Sequence, residues 1–341
     1  MAILRSLTPS RWALIALLVV AFGVVPRLGI DYVFDAILLP FLALSLAGIG
    51  LNLVTGYAGL ISVGSAAFMA VGAFGAYNFL LRAPYLPTLL SFVLAALIAA
   101  AIGILFGLPS LRLKGFYLLV STLAAQYFVQ WALTNFHWFA NDDPSGVITA
   151  PQITIAGFDF SSSAGRYVLC LGIVVLMTWA AHRLVRSQVG RNWIAIRDND
   201  MAAAVIGVSV FRSKLLAFAI SSFYCGVAGI LWAFAYLRTV ESDGFSLDLS
   251  FKILFIVIIG GLASVRGAFL GAAFLVTFPL LLSRIGASVF GNTNSGVVEL
   301  VEMMFIGLLI IVLLIAEPAG LVSLLDRGWA RLVSARAPRP T

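Results

Sequence analysis

The sequence predicts an all-α, polytopic transmembrane helix bundle of about ten spans, with both termini cytoplasmic. Three observations predict it. Of the 341 residues, 62% are hydrophobic and only 10% charged, and the mean hydropathy is +1.08, a balance that a soluble domain of this length does not have. The apolar residues also come in runs of about the 20 needed to cross a hydrocarbon core. Lastly, Lys and Arg gather on alternate loops, as they do on the cytoplasmic side of membrane proteins.

The first span is expected at 12–30. Arg5 and Arg11 precede it, but no small-residue cleavage site follows and another apolar run begins almost at once, which makes it a retained helix rather than a signal peptide. Ala36 to Leu81 carries no charge and is too long for one crossing. It is divided into spans at 36–54 and 58–81, with the turn at Asn52-Leu-Val-Thr-Gly-Tyr-Ala-Gly59. Further spans are expected at 86–108, 116–136, 166–185 and 213–237. A short one at 251–264, then 267–285 and 297–316, complete the set.

With the N-terminus inside, six of the 21 basic residues fall outside: Arg27, Arg82, Arg166, Arg238, Lys252 and Arg284. The acidic residues Asp31, Asp35, Asp142, Asp143, Asp159, Glu241, Asp243 and Asp248 lean outward too. The net charge of +7 is therefore a topology signal. No basic stripe with interleaved aromatics points to nucleic acid.

Between the spans at 166–185 and 213–237 lies a polar insert, 187–207, the clearest pointer to function. Asp198-Asn-Asp200 offers good N-cap types before Met-Ala-Ala-Ala-Val-Ile206, and Gly207 stands where a C-terminal glycine cap belongs. A short helix is expected there, preceded by an amphipathic piece around Arg191 to Ile196. Trp193, Ile194 and Ile196 need a surface to bury against, either the lipid interface or a cytoplasmic partner.

Several chemistries lack their residues. The lysines precede Gly115, Leu215 and Ile253, never Ser or Thr, so the chain has no Walker A site and no ATPase activity is expected of it. Cys170 and Cys225 are isolated in apolar stretches and suggest neither a disulfide nor a metal. His137 and His182 sit at helix ends, and no metal-binding or catalytic constellation accompanies them. Glu299 and Glu302, one turn apart in the last span, leave open an ion-gradient-driven secondary transporter. Small residues four apart, as in Gly64 to Gly72 and Gly260 to Gly271, serve close helix packing. Paired glycines there can also break a helix beside a substrate path.

Five segments resemble the LivM-type permeases of branched-chain amino acid ABC importers. They are Asn52 to Ala73, Leu111-Arg-Leu-Lys-Gly-Phe-Tyr117, Gly190-Arg-Asn-Trp-Ile-Ala-Ile-Arg-Asp-Asn-Asp200, Ile259-Gly-Gly-Leu-Ala-Ser264 and Glu317-Pro-Ala-Gly-Leu321. They follow the family order over about residues 35 to 325. The resemblance implies a bacterial inner-membrane permease, a single transmembrane domain over 1–341, working with a homologous second permease, two ATP-binding subunits and a periplasmic solute-binding protein. ATP is then bound by the partner subunits and this chain holds no cofactor.

The resemblance also makes 187–207 the coupling segment that fits a groove of the ATPase, with Gly190, Arg191, Ala195, Ile196, Arg197, Asp198, Asn199, Asp200, Ala202 and Ala203 as contact candidates. Asn52, Thr55, Gly56, Tyr57, Gly59, Ser62, Gly64, Gly260 and Gly261 are the candidates for the translocation path. Where the family usually has Gln and His, this sequence has Leu60 and Ser65. Its outer turn is Asn141-Asp-Asp-Pro-Ser-Gly146, with two extra acids. Relatives are assigned to urea, short amides and other amino acids as well as leucine, isoleucine and valine.

Overall fold

A computed structural model describes residues 20–28, 31–111, 116–141, 148–151, 153–155 and 158–290, with single positions and short pieces between 304 and 327. Most of the expected span 297–316, with Glu299 and Glu302, most of 12–30 and most of the turn after Asn141 lie outside the described residues. Among the described residues the long elements are all helical, so the all-α expectation holds.

Among the described residues ten helices of six residues or more follow one another: α1 (Asp31–Tyr57), α2 (Ser65–Arg82), α3 (Thr88–Ser110), α4 (Phe116–Asn135), α5 (Ser163–Arg186), α6 (Gln188–Asp198), α7 (Asp200–Val205), α8 (Val210–Leu237), α9 (Leu247–Gly260) and α10 (Val265–Phe290). Among the described residues α1, α3, α5, α8 and α10 up to Arg284 are long and apolar enough to cross a membrane. Helix α9, in the short span expected at 251–264, rises only about 21 Å at 1.5 Å per residue. It stops where Gly260 meets the backbone of Gly267, and Gly261 turns the chain with φ 119°.

The turn after α1 lies later than the sequence suggested. Helix α1 runs through Asn52 to Tyr57, and Gly59, at φ 71°, then sends the chain into an extended stretch up to Ser65. Two π-helical segments, Phe34–Leu38 and Leu53–Tyr57, lie near the ends of α1, and Trp232–Leu237 closes α8 in the same way. Such segments are uncommon and gather at functional positions.

Helix α2 is the middle of the bundle, buried along most of its length. It packs on α8 so closely that a Cβ on Gly72 would strike the backbone of Gly226. Small residues let these backbones approach, which lipid tails alone do not drive. Cys225 of α8 and Cys170 of α5 are free and buried.

The contacts also show which ends share a side. At one end Ile148–Thr149 pairs antiparallel with Thr239–Val240, and Asp35 of α1 binds Arg166 of α5 at 3.0 Å and Arg238 after α8 at 2.9 Å. At the other end the C-terminus of α1 meets α6 and the start of α10. The loops around Gly59, Arg197 and Gly261 thus gather at one end of the bundle and those around Thr149 and Arg238 at the other.

Candidate functional site: the junction beneath the insert

Helix α6 starts at Ser187, whose hydroxyl accepts the Val189 N–H at 3.2 Å. It ends at Asn199, whose side chain accepts the N–H groups of Met201 and Ala202 at 3.0 and 3.1 Å and so starts α7. Gly207, at φ 89°, closes α7. The two helices expected in 187–207 are therefore present, with Asn199 as the cap among the three candidates. Lys214 ties the pair to α8 through Asp200 at 2.6 Å.

The apolar face of α6 corrects one expectation. Trp193 is 0% and Ile196 2% exposed, and the Trp193 indole N–H donates to the Ser213 carbonyl at 2.9 Å. They anchor the insert to its own chain, not to lipid or to another protein. Gly190 and Ala203 are buried as well, Gly190 against the backbone of Val185. Of the proposed contact residues, Arg191, Arg197, Asp198, Asn199 and Ala202 are exposed, while Ala195 and Asp200 are half-buried. The large apolar side chains that do stand in solvent are Met201, Val205 and Ile206, at 78%, 88% and 73%, none of them among the expected contacts. Their signal was the position after the Asn199 cap, where a two-turn helix has too little chain to hide every apolar side.

Arg197 joins the insert to the core. It donates to the Gly56 carbonyl at 3.1 Å and pairs with Asp198 at 3.0 Å. Its side chain lies over Gly59, where an added Cβ would stand 2.8 Å from the Arg197 Cγ. From there the contacts continue inward. Asn52 accepts the Ala263 N–H at 2.9 Å and donates to the Ser264 carbonyl at 2.8 Å. Gly56 faces the same Ala263 backbone with no room for a side chain, and Gly320 packs on Gly261. Four segments far apart in sequence, around Gly56, Arg197, Gly261 and Gly320, thus meet at one place.

The remaining path candidates take other positions. Thr55 donates to the Leu60 carbonyl at 3.1 Å, Tyr57 is buried, and Ser62 accepts the Gly64 N–H at 3.4 Å. Gly64 lies against the Thr122 backbone. Just beyond it the start of α2 is held by side chains from two other helices, because Gly64 has none to cap with. Gln126 accepts from the Ala67 N–H at 2.6 Å and from the Ser250 hydroxyl at 3.2 Å, and it donates to the Phe245 carbonyl at 2.9 Å. Ser250 accepts the Ala66 N–H at 2.9 Å, and Thr122 accepts the Val63 N–H at 3.1 Å. Sequence reasoning missed this polar seam. Gln126 and Gln130 in one apolar run are a signal, since polar groups inside a membrane protein need partners.

The model of one family, branched-chain amino acid transport system / permease component, matches residues 33–314. The chain belongs to that family. Its LivM resemblance is borne out by relatives: the high-affinity branched-chain amino acid transport system permease protein LivM of Salmonella typhimurium is 32% identical over 85% of this chain and 70% of its own. LivM of Escherichia coli is 32% identical over 81% of this chain and 66% of its own. The autoinducer 2 import system permease protein LsrC of Enterobacter sp. strain 638 is 31% identical over 33% of this chain and 34% of its own. No solved structure matches the chain. The matched region contains the Asn52 motif, the insert and the Gly260–Gly261 turn, three of the four segments that the junction brings together, and stops short of Gly320.

Proposed function

We propose that this permease is a subunit of an ATP-binding-cassette importer of the inner membrane, and that it carries branched-chain amino acids or a closely related small solute. Family membership and the LivM likeness support the transport reading; the LsrC likeness supports a family in which solutes differ. In this reading the chain pairs with a homologous permease, two ATP-binding subunits dock on the insert face, and a periplasmic binding protein delivers the solute at the opposite end, near Asp35 and Arg238.

The observation that carries the coupling role is the two-sidedness of the insert. One face, Trp193 and Ile196, is fixed in the bundle, and the other presents Met201, Val205 and Ile206. Apolar groups surrounded by charge and open to solvent are what a protein partner buries. Closure of the ATPases then moves α6 and α7, and Arg197 carries that movement to the Gly56 carbonyl and on to the turn after α9. For such coupling the partner must favour one arrangement of the junction over another.

The test is purification of the tagged chain from its native membrane in mild detergent, followed by uptake measurements on the recovered complex in vesicles. Two ATP-binding subunits and a second permease are expected with it, along with leucine uptake that stops when ATP is withheld. A chain that purifies alone and moves solute without ATP contradicts the reading.

A further inference from the structure

A cavity of about 510 Å³ lies between α2, α3 and α4, away from the junction and the polar seam. Val71, Phe74, Ile102, Phe106, Phe128 and Leu133 are among its walls, and its lining is apolar but for one end. Between helices that face lipid, such a space is filled by hydrocarbon rather than water, because a water needs polar partners. From Val71 to Arg82 helix α2 rises roughly 16 Å, about half of a hydrocarbon core near 30 Å thick. The groove is therefore the depth of one leaflet. A helix of a partner protein that crosses the membrane needs twice that.

The polar end gives the ligand a head. Arg82 lies 3.6 Å above the centre of the Trp138 ring and spends one N–H on the Trp138 carbonyl at 2.7 Å. A guanidinium has five N–H donors, and among the described residues no carboxylate pairs with this one. Arg82 is also one of the few basic residues on the outer side of the charge pattern. One turn deeper, Asn78 donates to the Phe74 and Phe139 carbonyls at 2.9 and 3.1 Å, while its own Oδ1, buried at the cavity wall, has no partner among the described residues. A cation and an unused acceptor at the mouth of an apolar slot fit an amphiphile with an anionic group and a hydroxyl.

We propose that this groove is a binding site for one anionic phospholipid of the leaflet that contains Arg82, with an acyl chain along α2 and α4 and the phosphate on Arg82. An Arg–phosphate contact is charge-assisted and geometrically selective, and the Trp138 ring holds the guanidinium in place.

The test is native mass spectrometry of the purified chain, titrated separately with phosphatidylglycerol and with phosphatidylcholine of the same acyl chains. A one-to-one adduct is expected with phosphatidylglycerol at roughly tenfold lower concentration, because both lipids offer Arg82 a phosphate but the choline head adds a cation against it and has no hydroxyl to donate to Asn78 Oδ1. Arg82→Gln, an exposed position, is expected to keep the adduct and lose the head-group preference. Ala132→Phe, which fills the slot, is expected to weaken both lipids. Equal adducts with the two lipids in the unaltered chain, or adducts indifferent to both substitutions, overturn the proposal.

Discussion

Helix α1 is held by an arginine at each end, and the two are held differently. At the Asp35 end, which the charge pattern assigns to the outside, Arg166 has a side chain only 4% exposed, gripping Asp35 of one π-helical segment and the Ala235 carbonyl of another. Arg238 adds a second cation to the same carboxylate at 2.9 Å. At the inner end Arg197 keeps 36% of its side chain exposed and divides itself between the Gly56 carbonyl and Asp198. A buried ion pair is costly to open because a charge is left without a partner. An exposed arginine on a neutral carbonyl exchanges that contact for water at little cost. The outer clamp therefore suits an anchor and the inner one a moving link.

Substitutions sharpen that contrast. The largest effect is expected from Gly56→Leu, whose side chain would occupy the space of Asn52 and the Ala263 backbone. Loss of about 3 kcal/mol or more is expected to appear as loss of monodisperse protein after detergent extraction. Arg166→Met comes next. It leaves Asp35 with only Arg238 and the Ser163 hydroxyl, and a cost of roughly 3 kcal/mol is expected as a lower thermal midpoint by tryptophan fluorescence. A midpoint unchanged by Arg166→Met removes the anchor. Asn199→Ala deletes the cap between α6 and α7 and is expected to cost about 1 kcal/mol, measured as faster amide exchange confined to Asp200–Val205.

The smallest effect on stability is expected from the triple change Met201→Ser, Val205→Ser, Ile206→Ser, since exposed positions shift stability by about 0.5 kcal/mol or less each. Its effect should fall on assembly instead. Recovery of the ATP-binding subunits with the tagged chain is expected to drop while the melting curve stays in place. Full recovery of those subunits would move the docking surface elsewhere on the insert.

The contrast between the two ends also marks what a linear sequence reveals. The five spanning helices followed from hydropathy because bilayer thickness sets the length of a crossing helix, and α7 followed from Asp198-Asn-Asp200 and Gly207 because caps are local chemistry, while the Ser187 cap of α6 went unread. The hydrogen bonds of Asn52 to Ala263 and Ser264, of Gln126 to Ser250, and of Arg166 to Asp35 had no such local sign. They join residues more than a hundred positions apart, chosen by packing. Trp193 and Ile196 were legible as a surface needing cover, yet not the cover itself, because an amphipathic face fits the chain's own bundle as well as a partner. The π-helical segments leave no periodic trace, and the first of them contributes Asp35 to the outer clamp.

The most direct measurement compares Arg197→Glu with Arg197→Lys in the complete importer reconstituted in vesicles, following ATP hydrolysis and solute uptake together. Arg197→Glu sets a carboxylate against the Gly56 carbonyl, and uptake is expected to stop while assembly and hydrolysis persist; Arg197→Lys, able to donate one hydrogen bond, is expected to keep part of the uptake. Uptake by Arg197→Glu at the unaltered rate would contradict the link between the insert and the core.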